Sequence, residues 1–182
     1  MGGEPVATAD AVSLLRTLGA EDVAHPGGNL FDHLVRVHDE LTEWGAPREL
    51  RLAGLCHALY GTDGFPVALY GLDRRAEVAE LIGADAEALV YFYASCDRGS
   101  SYPGFADAAA EFTDRFTGER HVPDAAARRA FAELTAANEL DVVRAHPEAS
   151  GTPELYGLLS GWRGLLSDRA AHEVERVLNP HS

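Results

Sequence analysis

The sequence contains no lysine. Its 15 basic residues are all arginine and stand against 29 acidic ones, a formal charge of -14. No basic cluster interrupts that acidity. Nucleic acids and anionic membranes both reward a basic face, so neither is expected as a partner. We read the exclusive use of arginine as codon bias rather than function. Cysteine is scarce too. Cys56 and Cys96 are too few for a disulfide framework or a cysteine-built zinc site. No stretch approaches the roughly 18 uninterrupted apolar residues of a membrane span. The opening Met1-Gly2-Gly3-Glu4-Pro5 has neither a basic region nor an apolar run, so no secretion signal is expected. A reducing, cytoplasmic setting fits these absences. The chain also lacks a glycine-rich phosphate loop, a nucleophile elbow and a Cys pair at zinc spacing.

What is present suits one ordinary domain. The chain has 182 residues, 46% hydrophobic and 24% charged. Domains usually run about 100–200 residues, so residues 1–182 are expected to form one. Helical periodicity dominates. A first helix is expected over about Asp10 to Leu18, capped by Thr8 or Asp10 and stopped by Gly19. The loop His25-Pro26-Gly27-Gly28-Asn29 precedes a second, Leu30 to Trp44, with an apolar stripe at Leu30, Leu34, Val37, Leu41 and Trp44. Gly45 ends it and Pro47 opens a third, to about Tyr60, apolar on nearly every side. Gly61 to Pro66 reads as a turn-rich loop. Further helices are expected over Asp73 to Ile82, Ala84 to Ser95 and Asp124 to Ala145, and one or two over Pro153 to Leu166 and Ser167 to Leu178. Asp97 to Phe105 and Pro147 to Thr152 read as loops. Residues 112–116 and 120–122 flank Thr117-Gly118-Glu119 as one short hairpin. The fold class is therefore all-α: about seven helices with one hairpin near 112–122.

Eight histidines are enough for their placement to matter. His33 lies beside the apolar stripe of the second helix. His57 lies in the buried third, where a ring needs partners for its nitrogens. His33 is 12 positions before Gly45 and His57 is 12 after it. On antiparallel neighbours both therefore sit roughly 18 Å from the turn, at one height. Two imidazoles facing one interface can meet there. Alone, they leave a divalent ion poorly neutralised and need a carboxylate to hold one.

Leu30-Phe31-Asp32-His33-Leu34-Val35-Arg36-Val37, followed by Glu49-Leu50-Arg51-Leu52-Ala53-Gly54-Leu55-Cys56-His57-Ala58, resembles the HD-domain superfamily. The stretches Arg74 to Val90, Phe112 to Glu119 and Ala137 to Leu140 extend the likeness toward its alarmone-hydrolase branch. His57 to Thr62 together with Cys96-Asp97-Arg98 is similar to an uncharacterised offshoot of it. The likeness covers about residues 20–145 and leaves 146–182 as a C-terminal helical extension. It implies an HD-like helical bundle. It also implies metal-dependent phosphohydrolysis or, in one branch, diiron oxygenation, with His33 and His57 as ligands. The pattern's second ligand pair is His-Asp, but Ala58 stands where its Asp belongs. Asn138 occupies the place of the late Asp. The further histidines of two-metal members are missing, and only His121 lies in that interval. A dinuclear site is therefore not expected. A single Fe, Mn or Zn ion would need a substitute carboxylate such as Asp63, Asp97 or Asp141. No cofactor is the favoured expectation.

Around the histidine pair other polar groups are expected to line a pocket. Tyr60, three residues after His57, is placed on its helix face. Thr62 and Asp63 follow at the helix end, where Asp63-Gly64 also suits an ordinary turn. Asp97 is a candidate proton partner. Arg98 is a candidate for binding an anionic group, or for compensating a helix dipole. Asn138, with Asp141 three positions on, is expected to face inward. His25, His38, His146, His172 and His181 take structural readings, and Cys56 reads as packing. Two functions follow. One is a small-molecule enzyme, biosynthetic in role, using His33, His57, Tyr60, Asp63 and Asp97 for acid/base chemistry as a lyase, isomerase or hydrolase, with Thr62, Arg98, Asn138 and Asp141 toward substrate. The other is a degenerate domain that binds a small ligand or a protein without catalysis. A homo-oligomer is compatible with both.

Overall fold

Asn29 starts the helix that organises the first half of the chain. Its side-chain oxygen accepts from the Asp32 amide at 2.8 Å, and its amide group donates back to the Asp32 carboxylate at 3.0 Å. The exchange satisfies an orphan donor of the first turn. The computed structural model describes residues 3–147 and 152–179. Helix dominates, as the periodicity requires. The described residues form nine α-helices and two two-stranded sheets, one sheet more than expected. Contacts divide the chain into two units, Met1–Ser95 and Cys96–Ser182.

The first unit holds α1 (Gly3–Thr17), β1 (Ala24–His25), β2 (Gly28–Asn29), α2 (Leu30–Glu43), α3 (Arg48–Cys56), α4 (Arg75–Ile82) and α5 (Ala84–Ala94). α1 begins seven residues before the expected Asp10, because Pro5 falls in the first turn, where its missing N–H breaks no intrahelical bond. Ala7, Ala11 and Leu15, four apart, form its buried line. The loop before α2 is an antiparallel hairpin, with Ala24 opposite Asn29 and His25 opposite Gly28. Pro26-Gly27 turns it, and Gly27 takes φ 83, which favours glycine at that corner. The Leu30 amide donates to the Val23 carbonyl at 2.8 Å, which folds the hairpin back against the start of α2.

α2 and α3 pack through Gly54. A Cβ there would sit 2.5 Å from Leu41 Cδ1 and 3.4 Å from Val37 Cγ1, so glycine allows this approach with the Leu41 side chain where it is. α3 ends at Cys56 rather than Tyr60, and His57 is its C-cap. Tighter bonds replace the α-pattern, from Leu59 N to Cys56 O and from Gly61 N to Ala58 O, both 3.0 Å. A 3-10 turn, Leu72–Arg74, stands where the next helix was expected to begin.

The second unit holds α6 (Arg98–Ser101), β3 (Phe112–Thr113), β4 (Arg120–His121), α7 (Ala125–Ala145), α8 (Thr152–Gly161) and α9 (Asp168–Leu178). The expected hairpin is present, with Phe112 opposite His121. Part of the expected 97–105 loop is helical, because the Asp97 carboxylate caps α6 by accepting from Ser100 N at 2.9 Å. The expected helix from Pro153 to Leu166 stops at Gly161, and a 3-10 turn follows over Arg163–Leu165. Buried Phe105, Phe112, Phe131 and Trp162 form this unit's aromatic core. Arg128 is buried with them. Its guanidinium donates to the carbonyls of Pro123, Phe105, Ala108 and Ala110, tying the 105–110 segment to α7.

Candidate functional site

Three imidazoles gather in the first unit. His33, on the inner face of α2, is wholly buried and His57, capping α3, is 2% exposed. Their ring centroids are 5.3 Å apart and nearly perpendicular, at 78°. The equal spacing about Gly45 brings them together because both helices rise by the same increment from one turn. His25 is the third. The β1–β2 hairpin stacks its ring on His33 at 3.9 Å and 22°. Tyr93 of α5, 2% exposed, meets the far side of His57 at 5.4 Å and 86°. Phe65 meets His25 edge-on at 5.2 Å.

One hydrogen bond assigns the chemistry of His57. Its Nδ1 lies 2.7 Å from the Gly54 carbonyl. A carbonyl only accepts, so Nδ1 carries the proton and, in the neutral ring, the lone pair is left on Nε2. The Gly54 carbonyl is available because α3 is ending and its last carbonyls lose their helical partners.

Tyr60 does not share the site as the i, i+3 spacing suggests, because α3 has ended before it. Its hydroxyl donates instead to Glu87 Oε1 at 2.9 Å. Arg75 grips the same carboxylate at 2.6 and 2.8 Å and lies 3.7 Å over the Tyr91 ring. Burial first, and then the bond to Glu87, push the Tyr60 hydroxyl well above the usual phenol range. This network joins the chain after α3 to α4 and α5. Thr62 is buried, and its hydroxyl accepts from Phe65 N at 3.0 Å. The Thr62 amide donates to the Phe65 carbonyl, so Asp63, exposed, occupies a turn. Cys56 is wholly buried, and burial pushes its thiol up to about 12.

The remaining candidates belong to the second unit. Asp97 serves as the α6 cap. Arg98 donates to Glu139 Oε1 at 3.3 Å and lies 5.7 Å from the Tyr102 ring. Asn138 and Asp141 are buried on α7, as their spacing suggests. The Asn138 amide donates to the same Glu139 oxygen at 3.2 Å. A groove of about 520 Å³ in this unit is lined by Val143, Arg144, Pro147, Arg176 and Val177. Both of its guanidinium groups reach Glu173 Oε2 at 2.7 Å. Arg176 first, through its hydrogen bond, holds the Glu173 carboxyl below the usual range. Among the other histidines, His38 contacts Asp39 at 3.0 Å and His146 caps α7. His181 lies outside the described residues.

Among the described residues, no group of three or more His, Cys, Asp and Glu side chains is placed to hold a metal ion. Ring lone pairs lie in the imidazole plane. The stacked planes of His25 and His33 direct theirs side by side, not toward a point about 2.1 Å from both. Ala58 supplies no carboxylate.

Residues 14–98 match the family model of a domain of unknown function (DUF6817). The match spans His25, His33, His57 and Tyr93 together. No curated protein and no solved structure matches. No helix among the described residues is long and apolar enough to cross a membrane.

Sequence reading missed His25, Phe65, Glu87 and Tyr93 as neighbours of the candidate residues. For His25 a signal existed, since Pro26-Gly27 is a turn dipeptide that returns the chain on itself. Tyr91-Phe92-Tyr93 announced aromatic packing without saying which ring points inward; Tyr93 is the buried one.

Proposed function

We propose that this protein is a small-molecule enzyme, soluble in the cytoplasm, that transfers protons at the histidine cluster of its first unit without a metal. His57 Nε2 is the base and His33 its proton partner. The observation that carries this reading is the 2.7 Å bond from His57 Nδ1 to the Gly54 carbonyl. It leaves the lone pair on Nε2, and an imidazole nitrogen that carries a lone pair is what proton abstraction requires. A second imidazole 5.3 Å away suits a reaction that removes a proton at one substrate position and returns one at another. Lyases, isomerases and hydrolases share that need. The resemblance to HD domains supports a helical pocket between paired helices. Ala58 and Asn138, in place of carboxylates, favour the metal-free version.

A non-catalytic reading rests on a different observation. His33 and His57 are packed beneath His25 and Phe65, as structural rings would be. Elemental analysis of protein purified without a metal-affinity tag, followed by turnover screens on His33→Ala and His57→Gln, separates the readings. Proton transfer predicts turnover without stoichiometric metal, lost in both variants. Near-stoichiometric iron, manganese or zinc, absent from both variants, would overturn the metal-free reading and point to phosphoester hydrolysis or oxygen chemistry. Ligand binding that persists unchanged in His57→Gln, with no turnover in the parent, would support the binding domain.

A further inference from the structure

Asp63 is followed by glycine, and no other aspartate or asparagine of the chain is. That succession has a chemistry of its own. A backbone nitrogen can attack the side-chain carboxyl carbon of an aspartate just before it. A side chain on the second residue crowds the attack, and glycine has none. A helix interior also opposes it, because the attacking amide is held in the hydrogen-bond ladder. Asp39 and Asp141 lie inside helices in this way. Asp97 and Asp124 hold their carboxylates on the first turns of α6 and α7.

The fold places Asp63 and Gly64 outside any helix, both exposed, at the centre of a tight turn. The Thr62 amide donates to the Phe65 carbonyl at 2.8 Å, and the Phe65 amide donates to the Thr62 carbonyl at 3.1 Å. Thr62 Oγ accepts from the same Phe65 amide at 3.0 Å. These bonds close around Asp63 and Gly64 and use the amide of neither, as in any two-residue loop. Exposed turn tips are also where a chain best tolerates covalent change. Phe65, at the end of this turn, meets His25 edge-on at 5.2 Å, and His25 stacks on His33. The length of the turn therefore sets a contact at the half-buried edge of the histidine cluster.

We infer that Asp63-Gly64 is a site of spontaneous isoaspartate formation, and that conversion there releases Phe65 from His25. The Gly64 nitrogen bonds to Asp63 Cγ, the bond from Cγ to its hydroxyl breaks, and the nitrogen's proton leaves with that hydroxyl as water. The succinimide ring so formed takes up one water. Opening at Cγ restores aspartate. Opening at the Asp63 main-chain carbonyl breaks its bond to the Gly64 nitrogen. The chain then runs through Cγ, and a carboxylate is left on Cα. Mass and charge are unchanged, and only water leaves and returns. The backbone between Thr62 and Phe65 is one methylene longer. Loop length fixes the pairing of a hairpin, so the two Thr62–Phe65 bonds lose their register and Phe65 its place beside His25. The inference needs the turn and the ring contact, and does not rest on the proton-transfer reading.

The test is ageing of the full chain in neutral and in mildly acidic buffer, followed by peptide maps cut with endoproteinase Asp-N, which does not cleave before isoaspartate. Expected are progressive loss of the cut before Asp63, a peptide of unchanged mass with isoaspartate at that position, and retained cuts before Asp39 and Asp141. Conversion should slow in Gly64→Ala. It should be absent in Asp63→Glu, whose longer side chain has to close a six-membered ring, and this variant keeps the comparison if Gly64→Ala loses its fold. In the converted protein the His25 and Phe65 ring signals should move away from the parent's in NMR spectra, and Asp63→Glu aged alike should keep its own signals unchanged. The inference fails if Asp63 of the folded chain remains aspartate; conversion of the same chain in urea would then show that the turn holds the reacting groups apart. It also fails if folded Gly64→Ala converts as fast as the parent, or if the converted protein keeps the parent's His25 and Phe65 signals.

Discussion

Gly54 serves His57 twice: its missing side chain lets α3 lie against Leu41 of α2, and its carbonyl oxygen accepts a hydrogen bond from His57 Nδ1 at 2.7 Å. The closeness of the two helices and the tautomer of the candidate base depend on one residue.

The tautomer is directly observable. In long-range proton–nitrogen spectra of the folded protein above neutral pH, His57 should show a protonated Nδ1 and an unprotonated Nε2. A signal from protonated Nε2 in the neutral ring would remove the base from the proposed mechanism.

Gly54→Ala tests the helix contact. The new methyl meets Leu41 Cδ1 at 2.5 Å, and relief requires a rotamer change or separation of the helices. Overpacking of this kind costs about 1–3 kcal/mol, measurable by denaturant unfolding. The His33 and His57 ring signals should shift as well, since their contact depends on the same spacing.

Tyr60 and Glu87 separate architecture from chemistry. Tyr60→Phe removes one bond to a carboxylate that Arg75 still holds, so the expected loss is about 1 kcal/mol of stability. Turnover should stay close to the parent's. Glu87→Leu leaves the Arg75 guanidinium without the carboxylate that grips it. Arg75 is 37% exposed, so solvation lessens the loss to about 1–3 kcal/mol. Tyr60→Phe abolishing turnover in a folded protein would return that hydroxyl to the catalytic set.

Cys56 sets a pH dependence. Its thiol ionises at 9.0 when solvated and is pushed up to about 12 by burial. The folded state therefore holds this proton more tightly than the unfolded chain. Below pH 9.0 both states are protonated and the contribution is fully present. Above it the unfolded chain ionises first, and stability should fall by up to about 1.4 kcal/mol per pH unit. The slope belongs to Cys56 if Cys56→Ala flattens it between pH 9 and pH 10, below the range where Tyr60 contributes. Both thiols, being buried, should also resist Ellman's reagent until the protein unfolds.

The sequence alone determined whatever depends on local repetition. Periodic apolar positions marked the helices, and Asp124 sat ready to cap the longest of them. The equal distance of His33 and His57 from Gly45 foretold their meeting, because helical rise is the same in every helix. Tertiary structure decided what has no period. A two-residue hairpin leaves almost no sequence pattern, so His25 reached His33 only once β1 had folded back. The end of α3 at Cys56 took Tyr60 off the expected face, since a spacing rule holds only while the helix continues. Glu87 claimed the Tyr60 hydroxyl from 27 positions away, a partnership set by how α4 and α5 pack after α3. Burial energies and side-chain partners arise from contacts between distant segments, and single-residue propensities do not encode them.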